Sequence, residues 1–323
     1  YAVPGNHEFD FGMSNFLDVI EPMAEYQFLS ANFKHADGTT VFEPYAMEEC
    51  GDKKVAFVGI STPETYTKST PKYFQDEDGN FIYNFCEGGN GQNLYDAVQM
   101  AVDDALSDGA DYVIAIGHLG IDTESEPWTS ELVAANTSGI DAFIDGHSHS
   151  TFAGKEVTNK DGEIVTITQT GTALANVGQL VIDPETDELT ASLITPAEVT
   201  IPAEPSEYLQ AVIDKVAEVN AKVAADTNDV IGSAEVTLSI KDENGNRIVR
   251  KQESTVGNLC ADAYKAVMGT DVAVCQGGGI RADIAAGDVT YGNVLSVNPW
   301  NNMLCVKEAT GQEILDALEH GAR

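Results

Sequence analysis

An imidazole, an amide and two carboxylates stand close together near the beginning of the chain, in the stretch Gly5-Asn6-His7-Glu8-Phe9-Asp10. The stretch follows a short apolar run that is typical of the end of a buried strand. Neutral imidazole, carboxylate and amide oxygen are the ligands that zinc, manganese and similar divalent ions take in proteins. Two such ions can generate hydroxide near neutral pH and stabilise the oxygens of an in-line displacement. The stretch therefore indicates metal-assisted hydrolysis, with a polar turn as the alternative for an Asn-His pair considered alone.

Two further loops contain histidine and also follow apolar runs: Gly117-His118-Leu119-Gly120 and Gly146-His147-Ser148-His149. The carboxyl ends of strands are where α/β sheets bind ligands, so this shared placement favours a common site. His147 and His149 are two residues apart, and in a loop they can reach two neighbouring ions. A His-x-His pair alone would more often be a surface or capping feature. Together with the first stretch, the loops predict that metal is bound by Asn6, His118, His147 and His149.

Asn6 and His7 are predicted to have different roles, because adjacent side chains in a tight turn diverge. Asn6 would face the metal, whereas His7 would face the substrate. Asp10 is placed to accept a hydrogen bond from His7 and to hold it charged, so that the imidazolium could stabilise phosphoryl charge or assist the leaving group. Asp10 could also cap the helical segment that follows. We predict that His7 and Asp10 are the catalytic pair.

The segments that would position these loops alternate apolar runs with helical stretches up to about residue 190, as βαβ units do. The predicted strands cover residues 54–60, 112–116, 142–144, 164–169 and 179–182, and the predicted helices cover residues 15–25, 93–107 and 130–136. Residues 63–91 are predicted to be a long irregular insertion. Such loops are usually functional or disordered, and this one could shield or shape a site.

A linker with three prolines at residues 196–205 precedes a long helix that Ser206 is predicted to cap. This helix is expected to bridge two domains. Beyond residue 230, strands are predicted at 235–240 and 272–275, a turn at 244–246 and a helix at 256–268, and a capping box of Thr310 and Glu313 opens the last helix. The predicted domains are therefore residues 1–200, a linker helix at 201–228 and a second α/β domain at 229–323.

The chain is strongly acidic, with 52 acidic and 17 basic side chains among 323 residues and a formal net charge of -35. The resulting field repels anions, which argues against binding of a nucleic acid polymer. A substrate that contains phosphate must then be met by locally placed arginine or by metal. The acidity is also typical of the solvated surface of an exported or salt-adapted protein.

The cysteines and the first residues of the chain say little about the cellular compartment of the protein. Five widely spaced cysteines without a Cys-x-x-Cys motif argue against a complete disulfide framework and against a structural zinc site. The sequence contains no apolar run near 18 residues and no basic-then-apolar start, so it predicts neither a membrane span nor a signal peptide. The chain opens without Met, directly on an apolar run typical of an interior strand. We therefore expect a fragment or a processed product.

The three loops resemble the later blocks of the calcineurin-like metallophosphoesterases, specifically the 5′-nucleotidase family. The resemblance implies a layered α/β sandwich and two divalent ions such as zinc or manganese. Asn6, His118 and His147 would bind one ion and His149 the other, with His7 and Asp10 as the catalytic dyad. The family also has an earlier Asp-x-His and a bridging Gly-Asp, and neither precedes Tyr1. We therefore expect truncation at both ends and weak, incomplete metal binding by this chain alone.

The second domain is similar to the nucleotide-recognition domain of the same family. Gln276-Gly277-Gly278-Gly279-Ile280-Arg281 follows a predicted strand, and glycines such as Gly278 and Gly279 permit close backbone approach to a ligand. On this resemblance Arg250 and Arg281 would hold the phosphate through their guanidinium groups, with surface salt bridges as the alternative. Gln276 stands where the family usually has Asn. Trp300 stands where an aromatic stacks on the base, with a core role as the alternative.

The resemblance implies hydrolysis of nucleoside monophosphates to nucleoside and phosphate. A cyclic-nucleotide phosphodiesterase or a nucleotide-sugar hydrolase would use the same site with a different leaving group. A nucleotide- or metal-binding protein without turnover is the alternative from another class. The expected partner is a nucleotide, and the expected location is extracellular, periplasmic or at the cell surface.

Overall fold

A six-stranded mixed sheet organises the first of the two units into which the computed structural model divides, Tyr1–Thr200 and Ile201–Arg323. The structure describes residues 1–300 and 302–321. The strands of the first unit are β1 (Lys34–His35), β2 (Tyr45–Cys50), β3 (Lys53–Ser61), β4 (Tyr83–Asn84), β5 (Tyr112–His118), β6 (Ala142–Ile144), β7 (Thr151–Thr158), β8 (Ile164–Thr170), β9 (Val177–Asp183) and β10 (Glu188–Ile194).

The sheet has the strand order β2-β3-β5-β6-β8-β7. Strands β3, β5, β6 and β8 run parallel, and β2 and β7 are antiparallel strands at the two edges. Strand β1 pairs with β4, and β9 pairs with β10, in separate two-stranded ladders. The fold is thus of the mixed α/β class, as predicted.

The helices of the first unit are α1 (Glu21–Met23), α2 (Thr65–Lys68), α3 (Gln92–Ser107) and α4 (Ser130–Asn136), and a π-helical turn at Asn15–Ile20 leads into α1. Helix α3 buries the apolar face that its sequence predicts, in one core with residues of β3 and β5. Gly109 follows it with a φ of +93°, a backbone conformation that favours glycine, and the chain then enters β5.

The carboxyl ends of three parallel strands lie side by side at one edge of the sheet. The register pairs Ser61 at the end of β3 with His118 at the end of β5. It also pairs Ile116 of β5 with Ile144 at the end of β6. The segments that follow β3, β5 and β6 therefore emerge next to one another, and this is the sheet edge at which α/β folds bind ligands.

Six buried phenylalanines form a separate core that anchors the first stretch: Phe9, Phe16, Phe28, Phe33, Phe74 and Phe85. The ring centroid of Phe9 lies 5.2 Å from those of Phe16 and Phe74. Phe74 and Phe85 belong to residues 63–91, which also contain α2, β4 and a 3-10 turn at Pro71–Phe74. The segment is thus largely irregular, as predicted, with short helical and strand elements, and its aromatic side chains give it a packed core.

The second unit contains strands β11 (Val230–Ala234) and β12 (Gly287–Thr290) and helices α5 (Glu207–Thr227), α6 (Thr255–Met268), α7 (Tyr291–Val297) and α8 (Gly311–Gly321). Ser206 caps α5, as predicted, because its side chain accepts a hydrogen bond from the backbone N–H of Leu209. The predicted capping box is also present: Glu313 accepts from the N–H of Thr310, and Thr310 accepts from that of Glu313. These contacts satisfy N–H groups that a helix start leaves unpaired.

Two strand predictions in the second unit are wrong. The paired strand is Val230–Ala234, and residues 235–240 contribute only an isolated bridge between Leu238 and Ile284. Residues 272–275 form no strand, and Val272 and Val274 are 51% and 72% exposed. An apolar run becomes a strand only where another strand pairs with it, and in the described part of the chain none does.

Two features concern the chain as a whole. All five cysteines are free thiols. Within residues 1–300 and 302–321, no helix combines the length and the apolar character that crossing a bilayer requires.

Candidate active site

The first stretch forms a short 3-10 helix, Asn6–Phe9, whose side chains point in different directions. Asn6 is 4% exposed, whereas His7 is exposed to solvent. Gly5 lies directly against His118, since a Cβ at this position would be 2.8 Å from the Nε2 atom of His118. Only glycine therefore allows the loop to approach His118 this closely. Asn6 and His7 diverge, as expected for neighbours in a tight turn.

His7 and Asp10 form a hydrogen-bonded pair at the surface of the first unit. Nδ1 of His7 lies 2.7 Å from Oδ2 of Asp10. The other carboxylate oxygen of Asp10 accepts a hydrogen bond from Oγ of Ser69 at 3.0 Å. The alternative role of Asp10 as a helix N-cap is not observed, because Ser14 occupies that position in the helix that follows. Ser69 is a residue that the sequence did not single out.

Asn6 and His118 bring an amide oxygen and an imidazole nitrogen together. Oδ1 of Asn6 lies 3.1 Å from Nε2 of His118. Burial, with smaller contributions from the neighbouring His147, His7 and His149, lowers the pKa of His118 to about 3. The imidazole of His118 is therefore neutral at physiological pH, and neutral imidazole is the form that binds metal.

His147 lies next to His118 and contacts a carboxylate that the sequence did not reveal. The ring centroids of His118 and His147 are 5.0 Å apart. Nε2 of His147 lies 2.9 Å from Oε2 of Glu64, a buried residue that follows β3. Burial acts to raise the pKa of Glu64, but hydrogen bonds from His147 and Ser125 outweigh it and hold that pKa below its usual value. Glu64 and His147 follow buried strands and His118 ends one, and this shared position is the signal that could have identified Glu64.

His149 is the fourth predicted ligand and is exposed. Its φ of +56° and the φ of +73° at His147 place both residues in the left-handed region, which non-glycine residues adopt infrequently. Strained backbone of this kind is concentrated at functional sites. His149 is near enough for its charge to lower the pKa of His118.

Asp145 connects the two histidine loops. Its carboxylate accepts hydrogen bonds from the backbone N–H of Leu119 at 2.9 Å and of Gly120 at 3.1 Å. Gln169 donates to the same carboxylate at 2.8 Å. Burial raises the pKa of Asp145, against the lowering effect of hydrogen bonds that include those from Leu119 and Gly120. Asp145 therefore fixes the loop after β5 relative to the loop after β6, and through it the position of His118.

The oxygen and nitrogen atoms of these residues match part of the ligand set of a divalent ion. Two ligands that each lie about 2.0–2.2 Å from one ion are separated by roughly 3.0–3.5 Å, which matches the 3.1 Å between Asn6 and His118. His147 adds an adjacent imidazole. In the part of the chain that the structure describes, no group of three or more His, Cys, Asp or Glu side chains is gathered as a complete metal site. The residues present would therefore supply part of a ligand set.

The predicted substrate-binding residues of the second unit lie together around the 3-10 turn Gly277–Gly279. A Cβ at Gly277 would be 2.0 Å from the carbonyl oxygen of Val249, so the turn packs directly on the backbone before Arg250. Nη1 of Arg281 donates to the carbonyl oxygen of Gly278 at 3.2 Å, and a Cβ at Gly278 would be 3.3 Å from Nη2 of Arg250.

Gln276 and Trp300 complete this group. A Cβ at Gly278 would lie 2.9 Å from Oε1 of Gln276, which places the Gln276 amide beside the turn, and Gly279 is buried next to it. The guanidinium carbon of Arg281 lies 5.2 Å from the centroid of the Trp300 ring. This is a cation–π arrangement, and it orients both side chains.

Arg247 is a third arginine in this group, and the sequence did not identify it. Its Nη2 donates to the carbonyl oxygen of Ile280 at 2.9 Å. Burial, followed by the charges of neighbouring arginines, lowers the pKa of Arg247 and of Arg281. Within residues 1–300 and 302–321, none of the three arginines forms a salt bridge with a carboxylate. The group is thus a local concentration of positive charge in a chain of net charge -35.

Comparison with known proteins identifies both halves of the chain. Residues 1–151 match the family described as calcineurin-like phosphoesterase, and residues 212–323 match the 5′-nucleotidase C-terminal domain. The chain belongs to the 5′-nucleotidase family. It therefore contains a metallophosphoesterase domain and part of the C-terminal domain of that family of hydrolases, as the sequence predicted.

Individual relatives of this 5′-nucleotidase family chain are similar at 25–29% identity. The trifunctional nucleotide phosphoesterase protein YfkN of Bacillus subtilis is 29% identical over 360 residues, which cover 98% of this chain and 23% of YfkN. The cell wall protein Lmo0130 of Listeria monocytogenes is 25% identical over 354 residues, which cover 97% of this chain and 44% of that protein.

A solved structure of a 5′-nucleotidase precursor from Thermus thermophilus superposes with a TM-score of 0.74 at 27% sequence identity. The match covers 99% of this chain and 62% of that structure. The chain thus spans about a quarter to three fifths of the length of these three proteins.

Proposed function

We propose that the protein hydrolyses nucleoside 5′-monophosphates to nucleoside and phosphate, with divalent ions such as zinc or manganese. The observation that supports this most strongly is that two adjacent residues have different partners. Oδ1 of Asn6 lies 3.1 Å from Nε2 of His118, whereas Nδ1 of His7 lies 2.7 Å from Oδ2 of Asp10. A metal-facing amide and a substrate-facing imidazole on consecutive residues suit hydrolysis of a phosphate ester.

Asn6, His118 and His147 would hold one ion, and His149 would contribute to the other. Divalent ions, when bound, polarise the phosphate ester and activate water. The chain's own contribution is to present oxygen and neutral nitrogen donors on segments fixed by the sheet. Asp145 fixes the loop that contains His118 by accepting two backbone hydrogen bonds.

His7 would act on the substrate directly. Its Nδ1 lies 2.7 Å from Oδ2 of Asp10, and Nε2 is the nitrogen that would contact a phosphate oxygen or the leaving oxygen. The hydrogen bond to Asp10 orients the imidazole, and an imidazole held in this way can pass a proton to the leaving group. The exposure of His7 gives a substrate access to it.

The second unit would supply nucleotide recognition. We propose that residues 1–200 act as the metallophosphoesterase domain, residues 201–228 as a linker helix, and residues 229–323 as the recognition domain. Arg250 and Arg281 would bind phosphate, and Gln276, Gly278, Gly279 and Trp300 would contact the rest of the nucleotide. The absence of carboxylate partners for the arginines within the described residues supports an anionic ligand.

A second substrate class is supported by one relative. YfkN is described as a trifunctional nucleotide phosphoesterase, which supports more than one kind of nucleotide substrate. Activity on 2′,3′-cyclic nucleotides or nucleotide sugars is the next candidate. We also propose an extracellular, periplasmic or cell-surface location. The acidity of the chain and its similarity to a protein described as a cell wall protein support it.

The test is release of phosphate from AMP by the full-length protein with Mn²⁺ or Zn²⁺. ADP, a 2′,3′-cyclic nucleotide and UDP-glucose in the same assay would rank the substrates. We expect AMP to be hydrolysed fastest. Hydrolysis of none of the four would refute an enzymatic role and would favour a binding protein without turnover.

A further inference from the structure

We propose that Glu64 is a positioning residue for His147: its carboxylate accepts a hydrogen bond from Nε2–H of His147 and thereby leaves the lone pair on Nδ1 to bind metal. This inference rests on the proposed function in so far as His147 is a metal ligand. The hydrogen bond itself and the tautomer that it selects can be examined without any metal.

Glu64 lies within hydrogen-bond distance of the His147 imidazole, at the sheet edge where the predicted metal ligands lie. It follows β3 by three residues, at the same sheet edge at which β5 and β6 present His118 and His147. Its side chain is 8% exposed and that of His147 is 12% exposed. The bond between them is therefore largely shielded from water, where a hydrogen bond to a carboxylate is stronger than at the surface.

The surroundings of Glu64 determine the direction of the hydrogen bond. Ser125 donates its hydroxyl to Oε2 of Glu64 at 2.5 Å. Lys68 places its ammonium group 3.5 Å from Oε1. Both neighbours are donors, so the carboxylate acts as an acceptor, and the hydrogen shared with His147 belongs to the imidazole. A neutral imidazole that has its hydrogen on Nε2 exposes a lone pair on Nδ1.

The backbone around Glu64 is held in place independently of His147. The N–H of Glu64 donates to Oγ1 of Thr62 at 3.1 Å, and Oγ1 of Thr65 donates to the carbonyl oxygen of Thr62 at 2.7 Å. Thr62 and Thr65 are both buried. Glu64 therefore projects from a fixed turn, and a carboxylate on a fixed turn can orient a metal-binding imidazole.

The first test reads the tautomer of His147 in metal-free, full-length protein by nuclear magnetic resonance of ¹⁵N-labelled histidine. The His147 signals would be assigned by their loss in His147→Asn. We expect a single tautomer with the hydrogen on Nε2. We expect a mixture of tautomers in Glu64→Ala and retention of the Nε2–H form in Glu64→Gln, because the amide oxygen can still accept. A hydrogen on Nδ1 in the unmodified protein would overturn the inference without the need for any variant.

The second test measures affinity for Mn²⁺ or Zn²⁺ alone. We expect Glu64→Ala to weaken binding by about 10–100-fold and Glu64→Gln to weaken it less. Glu131→Ala is the matched control, since Glu131 pairs with Lys155 at 2.6 Å outside the site, and it should leave both the tautomer and the affinity unchanged. Equal losses in Glu64→Ala and Glu131→Ala would contradict a positioning role. If the tautomer follows the expectation while AMP is not hydrolysed, the proposed function fails and the assignment of Glu64 stands.

Discussion

The two oxygens of the Asp10 carboxylate have separate partners: Oδ2 lies 2.7 Å from Nδ1 of His7, and Oδ1 accepts a hydrogen bond from Ser69 at 3.0 Å. Ser69 follows α2, so the segment that begins at Glu64 contacts both His147 and Asp10. One short segment thus contacts a predicted metal ligand and the predicted catalytic pair.

Ser69→Ala should reduce turnover of AMP several-fold with little change in KM, because Asp10 would remain but would be held by one partner fewer. Asp10→Asn should reduce turnover more, by about 10²–10³-fold, since it removes the carboxylate that holds Nδ1 of His7. Steady-state kinetics of the two variants would test this order. Ser14→Ala is the control, because Ser14 donates a hydrogen bond to Asp18 at an exposed position. A larger loss in Ser69→Ala than in Asp10→Asn would contradict the assigned roles.

The stability of the metal-free protein should fall as the pH is lowered from about 6.5 towards 3. His118 has a folded-state pKa of about 3, lowered mainly by burial, whereas histidine in an unfolded chain titrates near 6.5. Between these values the unfolded state binds more protons, so the contribution of His118 is complete above 6.5 and is lost on acidification, with a slope of up to about 1.4 kcal/mol per pH unit.

Urea unfolding at pH 7, 5.5 and 4 in the presence of chelator would measure this dependence. His118→Gln should flatten it, whereas a substitution of a histidine away from the site, His35→Gln, should not. If the free energy of unfolding of His118→Gln depends on pH as steeply as that of the unmodified protein, His118 does not resist protonation.

Arg281→Ala should raise KM for AMP by about 10–100-fold, because a charged hydrogen-bond donor to phosphate is lost. Release of phosphate from a simple aryl phosphate should change little, since that substrate lacks the nucleoside. Lys222→Ala, at an exposed position of α5, is a control for general loss of positive charge. Equal losses on both substrates would argue against nucleotide recognition by the second unit.

Gly277→Ala should destabilise the second unit by about 1–3 kcal/mol, because its Cβ would lie 2.0 Å from the carbonyl oxygen of Val249. Gly311→Ala is a matched control, since a Cβ there meets no atom within 4 Å and alanine favours a helix. Thermal unfolding of both variants would measure the difference. Similar stability in the two variants would show that the turn can move away from Val249.

The sequence predicted the elements that are defined by local pattern. Helix α4 and strand β6 have the predicted bounds, and Ser206 caps α5, because apolar period and capping chemistry act over a few residues. Edge strands such as β7 were missed, because an exposed edge lacks a continuous apolar run. Residues 272–275 show the converse error, since an apolar run does not form a strand without a partner.

In the site, too, the sequence predicted features that depend on neighbouring residues and missed those that depend on residues far apart in the chain. The sequence indicated that Asn6 and His7 would diverge, because neighbours in a turn do so. It did not indicate Glu64 or Ser69, nor the role of Asp145, because these depend on partners 59–83 residues away or on backbone N–H groups of another loop. Hydrogen bonds over such separations depend on the tertiary fold, which places the ends of β3, β5 and β6 together.

The most direct test of the central claim compares phosphate release from AMP by the full-length protein, by His7→Ala and by His35→Ala, with Mn²⁺ at saturating substrate. If His7 acts on the substrate, His7→Ala should lose at least about 10²-fold in turnover while it still binds Mn²⁺, and His35→Ala should keep the activity of the unmodified protein. Turnover by His7→Ala at the rate of the unmodified protein would contradict the account.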